Sequence, residues 1–143
     1  MKNVLAALSF MLLSAISFSQ DDDKKQIEKA INNYVDAFYQ ADTTKAYESI
    51  ARDLAKRGYY TNKEGKVNEA KMSFEQLIRL AQRWKSTQNL TADSPKKITV
   101  FDVLDKIASA KVEAQWGIDY FHLAKLNGTW TIINVLWQDY PKN

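Results

Sequence analysis

The chain offers few side chains that could do chemistry. It has a single histidine, His122, and no cysteine. That count excludes thiol nucleophiles. It also excludes a metal centre built from histidines, because catalytic zinc normally takes three protein ligands with histidine prominent among them. Sites made of carboxylates alone have no supporting spacing. No serine sits in a nucleophile-elbow context, and the four glycines are scattered singly at turns, with no glycine-rich phosphate loop. No metal or cofactor is expected. Acid–base work would fall first to His122, which lies in mid-strand on the side of Tyr120 and opposite Phe121 and Leu123. If that side lines a pocket, an imidazole suits proton transfer or hydrogen bonding to a ligand. The preferred alternative is a half-buried strand histidine bonded to a neighbour, since no carboxylate within two residues on its own side could orient it. Asp119 opens the same strand and reads as a strand-start or turn residue, the ordinary place for aspartate.

Aromatic residues are the richest feature. Tyr34, Phe38, Tyr60, Trp84, Tyr120 and Trp137, with Tyr59 and Trp116, could line a pocket for a flat organic molecule, with Arg57 as an anion anchor at its mouth. With His122, the candidate ligand-binding set is therefore Tyr34, Phe38, Arg57, Tyr60, Trp84, Tyr120, His122 and Trp137. The competing use of such rings is to close a small core that has no disulfides to help it. Most are expected in the core, and about a third facing an open cavity.

The elements that must position these residues follow a leader. Lys2 gives a positive start, Val4 to Ile16 is apolar apart from Ser9 and Ser14, and Ser17-Phe18-Ser19 offers a cleavage site before Gln20. Residues 1–19 therefore read as a secretory signal peptide, too short to span a membrane, and 20–143 as one domain. The expected product is exported, periplasmic or extracellular, with no membrane attachment after cleavage. The remaining chain is long enough for one packed core and too short for two. The formal net charge of +3 is spread among interleaved lysines and acids, with no basic stripe for nucleic acid.

From Asp23, apolar residues at Ile27, Ile31, Tyr34, Val35 and Phe38 mark one face of a helix. Asp42 or Thr43 can cap a second helix with Ala46, Tyr47, Ile50 and Leu54 inside, ending near Arg57-Gly58. Tyr59-Tyr60-Thr61 reads as a short strand and Asn62 to Gly65 as a turn. Ser73 and Gln76 form a capping box for a third helix with the stripe Phe74, Leu77, Ile78, Ala81, Trp84. After a polar loop over 85–95 the period changes to two. Ile98 to Leu104, Ala108 to Gln115, Tyr120 to Leu126 and Thr129 to Gln138 read as strands, the last two joined by an Asn127-Gly128 hairpin turn. Helices followed by an antiparallel meander predict an α+β domain with helices on one sheet face.

The last two strands carry apolar residues on both sides. Phe121 and Leu123 oppose Tyr120 and Ala124, while Trp130, Ile132 and Leu136 are expected to oppose Ile133, Val135 and Trp137. Such strands need cover on both faces and the helices supply one, so a homodimer through the sheet is expected. A loop or the carboxyl-terminal tail is the other candidate cover.

Several runs resemble the nuclear transport factor 2-like superfamily, and within it the bacterial group called putative lumazine-binding proteins. They are Ile27 to Phe38, Asp53 to Gly58, Met72-Ser73-Phe74, Asp119 to Lys125, Gly128 to Ile132 and Val135-Leu136-Trp137. The resemblance implies a cone-shaped domain, three helices packed on a curved antiparallel sheet, with a pocket between them. It also implies kinship with isomerases, dehydratases and epoxide hydrolases as well as proteins without catalysis, so fold does not decide function. Isomerases of the superfamily place a functional acid near the position of Asp119 and a tyrosine near that of Tyr34. Their general-base aspartate has no counterpart here. Related sequences tend to carry His-Pro before the Asp-Leu pair, where this chain has Ala51-Arg52. The leading expectation is an exported, non-catalytic protein binding a small apolar or aromatic ligand. The alternatives are an isomerase- or dehydratase-type enzyme using Tyr34, His122 or Asp119, and an interaction module whose cone is filled by its own side chains.

Overall fold

A computed structural model describes residues 2–87 and 89–141, with side chains described from Gln20 onward except at 85–88. Helix α1 runs Lys2–Tyr39 and α2 Thr43–Ser49. They are followed by β1 (Ile50–Thr61), β2 (Val67–Met72) and α3 (Phe74–Thr87). The meander β3 (Lys97–Val103), β4 (Ile107–Ala114), β5 (Gly117–Leu126) and β6 (Thr129–Gln138) completes the domain. The strands form one curved sheet in the order β2-β1-β6-β5-β4-β3. All neighbours are antiparallel except β1 and β6, which run parallel. The α+β architecture is the expected one.

Local chemistry accounts for most boundaries. The Asp42 side chain accepts from the Thr44 backbone N–H and caps α2. At α3, Ser73 N–H donates to Gln76 Oε1 at 2.8 Å and Gln76 N–H to Ser73 Oγ at 3.3 Å, the reciprocal pair of a capping box. Asn127 and Gly128 both take positive φ, 49° and 82°, closing the β5–β6 hairpin. The buried faces of α1 and α3 pack on the sheet through Ile27, Ile31, Val35, Leu77, Phe121, Leu123 and Ile132.

Two expectations are corrected. The second helix does not continue to Gly58: it stops at Ser49 and the chain enters a twelve-residue strand. The apolar spacing of Ile50 and Leu54 fits both periods, because residues four apart share a face in a helix and in a strand alike, and both are buried in β1. Gly58 is consequently not a helix terminus. A Cβ there would lie 2.1 Å from Trp137 Cε3, so glycine is what lets that indole lie against β1. The second correction concerns β6. His122 pairs with Asn134 and Leu123 with Ile132, leaving Ile133 as a bulge that reverses the alternation. Trp130, Ile132 and Val135 are therefore all buried, while Leu136 is 47 % exposed.

Candidate functional site

The site lies between α1, α3 and the inner face of the sheet. Tyr34 and Phe38 project from α1 one turn apart, with ring centroids 5.5 Å from each other. Trp116, at the turn between β4 and β5, stands 5.1 Å from Phe38 and 6.0 Å from Trp84 of α3. These rings do not fill the space. A cavity of about 160 Å³ remains, lined by Phe38, Lys56, Met72, Leu80, Trp84, Trp116 and Trp137. Its wall is almost wholly apolar, and the Lys56 ammonium is turned to Asp119. The indole Nε1 of Trp137 is buried and has no acceptor among the described residues.

Behind the rings is a buried polar cluster centred on Asp119, which is fully buried. Its Oδ1 accepts from the Tyr34 hydroxyl at 3.2 Å and from Lys56 Nζ at 3.0 Å, and its Oδ2 accepts from Trp116 Nε1 at 2.5 Å. Lys56 Nζ also donates to the Tyr34 oxygen. Burial pushes the Tyr34 phenol well above its ordinary pKa, and the charge of Asp119 and its hydrogen bond add to the effect. Tyr34 therefore stays protonated and donates a hydrogen bond to Asp119, while Lys56 balances the charge of the carboxylate. Both carboxylate oxygens are committed to protein donors. The indole of Trp116, held by one of them, is fixed as a cavity wall.

The sequence-derived candidates separate into groups. Phe38, Trp84 and Trp137 line the cavity, and Tyr34 stands behind it with its hydroxyl in the polar cluster. Tyr60 lies 6.3 Å from Trp137 by ring centroids but does not line the cavity. Arg57 is half exposed and paired with Glu69 at 3.1 Å, in an adjoining groove with Lys71, Ser73 and Asn134. Tyr120 and His122 lie on the opposite, outer face of the sheet. There Tyr120 stacks on Phe101 at 5.7 Å, and His122 Nδ1 lies 3.1 Å from Asn134 Nδ2. The turn-residue reading of Asp119 is corrected, because the carboxylate faces inward as the centre of the cluster. Lys56 went unseen because its segment read as helix. Its place two residues before Gly58 on a strand is the signal that would have found it.

Among the described residues, no group of three histidine, cysteine or acidic side chains could hold a metal ion. No described helix is long and apolar enough to cross a membrane.

Several solved structures share the fold. A nuclear transport factor 2-like protein of unknown function from Methylobacillus flagellatus is 24 % identical, with 84 % of this chain and 94 % of that one covered and a TM-score of 0.64. Another from Silicibacter pomeroyi is 16 % identical, covers 85 % and 98 %, and has a TM-score of 0.66. A protein named Putative Scytalone Dehydratase from Novosphingobium aromaticivorans is 11 % identical, covers 89 % and 93 %, and has a TM-score of 0.62. At such identities the likeness concerns the fold alone. No curated protein matches the chain in sequence. The profile of the family described as "Putative lumazine-binding" matches residues 22–138, nearly the whole domain. The chain belongs to that family, and its fold is the one shared by these nuclear transport factor 2-like proteins.

Proposed function

We propose that the protein is a non-catalytic binding protein that takes a small apolar or aromatic molecule into the cavity, working after export and as a homodimer. The observation that carries this reading is the apolar space left open among Phe38, Trp84, Trp116 and Trp137. Large aromatic walls around a preformed concavity are the usual make-up of a small-molecule site. The use made of the polar groups supports the non-catalytic reading. Asp119 has given both oxygens to Tyr34, Lys56 and Trp116, and His122 is on the other side of the sheet. A general base must come within hydrogen-bond reach of substrate, and Asp119 is fully buried behind the rings.

Export rests on the leader at residues 1–19, and amino-terminal sequencing of the mature protein should begin at Gln20. The homodimer rests on the outer sheet face, where Phe101, Tyr120 and Leu136 are about half exposed. A second reading, an isomerase- or dehydratase-type enzyme, is favoured by the meeting of Tyr34 with Asp119. The deciding experiment is purification from the native host, followed by solvent extraction and mass spectrometry. A reproducible small molecule recovered unchanged supports binding. Its conversion on incubation with the protein, lost in Tyr34→Phe, would instead establish the enzyme. A protein that carries nothing and binds no small aromatic would leave the filled-cone module.

A further inference from the structure

The chemistry of the cavity wall narrows the ligand class, on the premise that this cavity is the binding site. Apart from the Trp137 indole N–H, which has no acceptor among the described residues, the charged and polar groups named above are turned away and already paired. The Lys56 ammonium is held by Tyr34 and Asp119, and the Trp116 indole N–H donates to Asp119. What the wall presents is the faces of Phe38, Trp84, Trp116 and Trp137, the Leu80 methyls, the Met72 thioether and the Lys56 stem. An anionic group entering this space would lose its hydration and find no cation, and a carbonyl or ring nitrogen would be left without a matching donor at most of the surface.

Size points the same way. The volume is about 160 Å³, close to the roughly 150 Å³ of an apolar engineered cavity known to stay dry and to take up benzene or xenon. One six-membered ring matches this space. A pteridine is bicyclic and bears ring nitrogens and two carbonyl oxygens around its rim. It exceeds the volume between the rings, and most of the polar groups on its edges would go unpaired there.

We propose that the ligand of this cavity is a neutral, apolar molecule of single-ring size, and that a lumazine is not accommodated there despite the family's name. Each polar group buried without a partner is expected to weaken binding on the order of tenfold to a hundredfold.

The test is isothermal titration calorimetry of the mature protein with toluene, benzoate and lumazine. A Leu80→Phe variant fills the cavity from α3, and Met72→Phe does so from β2 should the first misfold. A circular dichroism spectrum and urea midpoint like those of the parent qualify a variant for use. The expected result is saturable binding of toluene, at least tenfold weaker binding of benzoate and lumazine, and loss of the toluene signal in the filled variant. Lumazine or benzoate binding as tightly as toluene, and lost in the filled variant, overturns the ligand class while leaving the pocket in place. If none of the three binds, or if toluene binds the filled variant equally well, the pocket reading itself is overturned.

Discussion

Replacing Asp119 by alanine gives the sharpest energetic prediction. The carboxylate is fully buried and its partner Lys56 is 9 % exposed at the side chain, so neither charge of the pair has ready access to water. The substitution removes the acceptor of the Tyr34 hydroxyl and the Trp116 indole and leaves the Lys56 ammonium with the phenol oxygen alone. Deleting one partner of a buried ion pair costs about 3–5 kcal/mol. For a domain of this size that is a fall in Tm of roughly 10–20 °C, and a large part of a total stability of about 5–15 kcal/mol. Urea unfolding followed by tryptophan fluorescence measures it directly. The control is the double variant Asp119→Leu with Lys56→Met, which removes both charges and should lie within about 1–2 kcal/mol of the parent, because replacing a whole buried pair with apolar groups is often nearly neutral. A loss below about 1 kcal/mol for Asp119→Ala, the size of a surface ion pair, would refute the buried cluster. A double variant as unstable as the single one would show that packing, rather than charge, is what Asp119 supplies.

Acidification should destabilise the fold through Asp23 and Asp36. Burial works to raise the Asp23 carboxyl, but hydrogen bonds from Lys125 and Trp130 and the Lys125 charge outweigh it and hold it below the ordinary range. Asp36 is held low in the same way, against burial, by Lys96 and Lys45. The folded values are depressed, so this stability is present above the unfolded aspartate value of about 3.9 and is lost as pH falls through the lower folded values. Urea midpoints should decline in that window and decline less in Asp23→Asn. The Tyr34 phenol, raised in the folded state, predicts the opposite limb: stability falls as pH climbs above the unfolded tyrosine value of about 10, and Tyr34→Phe should flatten that fall. Gly58→Ala puts a methyl into the Trp137 ring, costing about 1–3 kcal/mol by overpacking, and the displaced indole should weaken toluene binding. Tyr120→Lys, on the half-exposed outer face, should shift sedimentation toward monomer without lowering the urea midpoint of the monomeric fold.

The fold was legible where local chemistry and global packing agree. The capping box at Ser73, the turn at Asn127-Gly128 and the stripe of α1 each have a mechanism confined to a few residues. The start of β1 was not legible, because Ile50 and Leu54, four residues apart, share a face in a helix and in a strand alike. Nor was the phase of β6 after Ile133, since a bulge adds a residue that no alternation pattern marks. These two misreadings also account for the blurred site. Lys56 lies in the misassigned segment, and Tyr120 and His122 could be placed relative to each other by alternation but not assigned to the inner or outer face. Asp119 was placed by its turn preference. Only the tertiary fold, bringing Tyr34, Lys56 and Trp116 around it, reveals the buried acid.

The most direct measurement is a crystal structure of the mature protein equilibrated with toluene. The account predicts one ring bounded by Phe38, Trp84, Trp116 and Trp137, with Asp119 still bonded to Tyr34, Lys56 and Trp116. Indoles that have closed over an empty centre, or toluene found only on the outer sheet face, would contradict it.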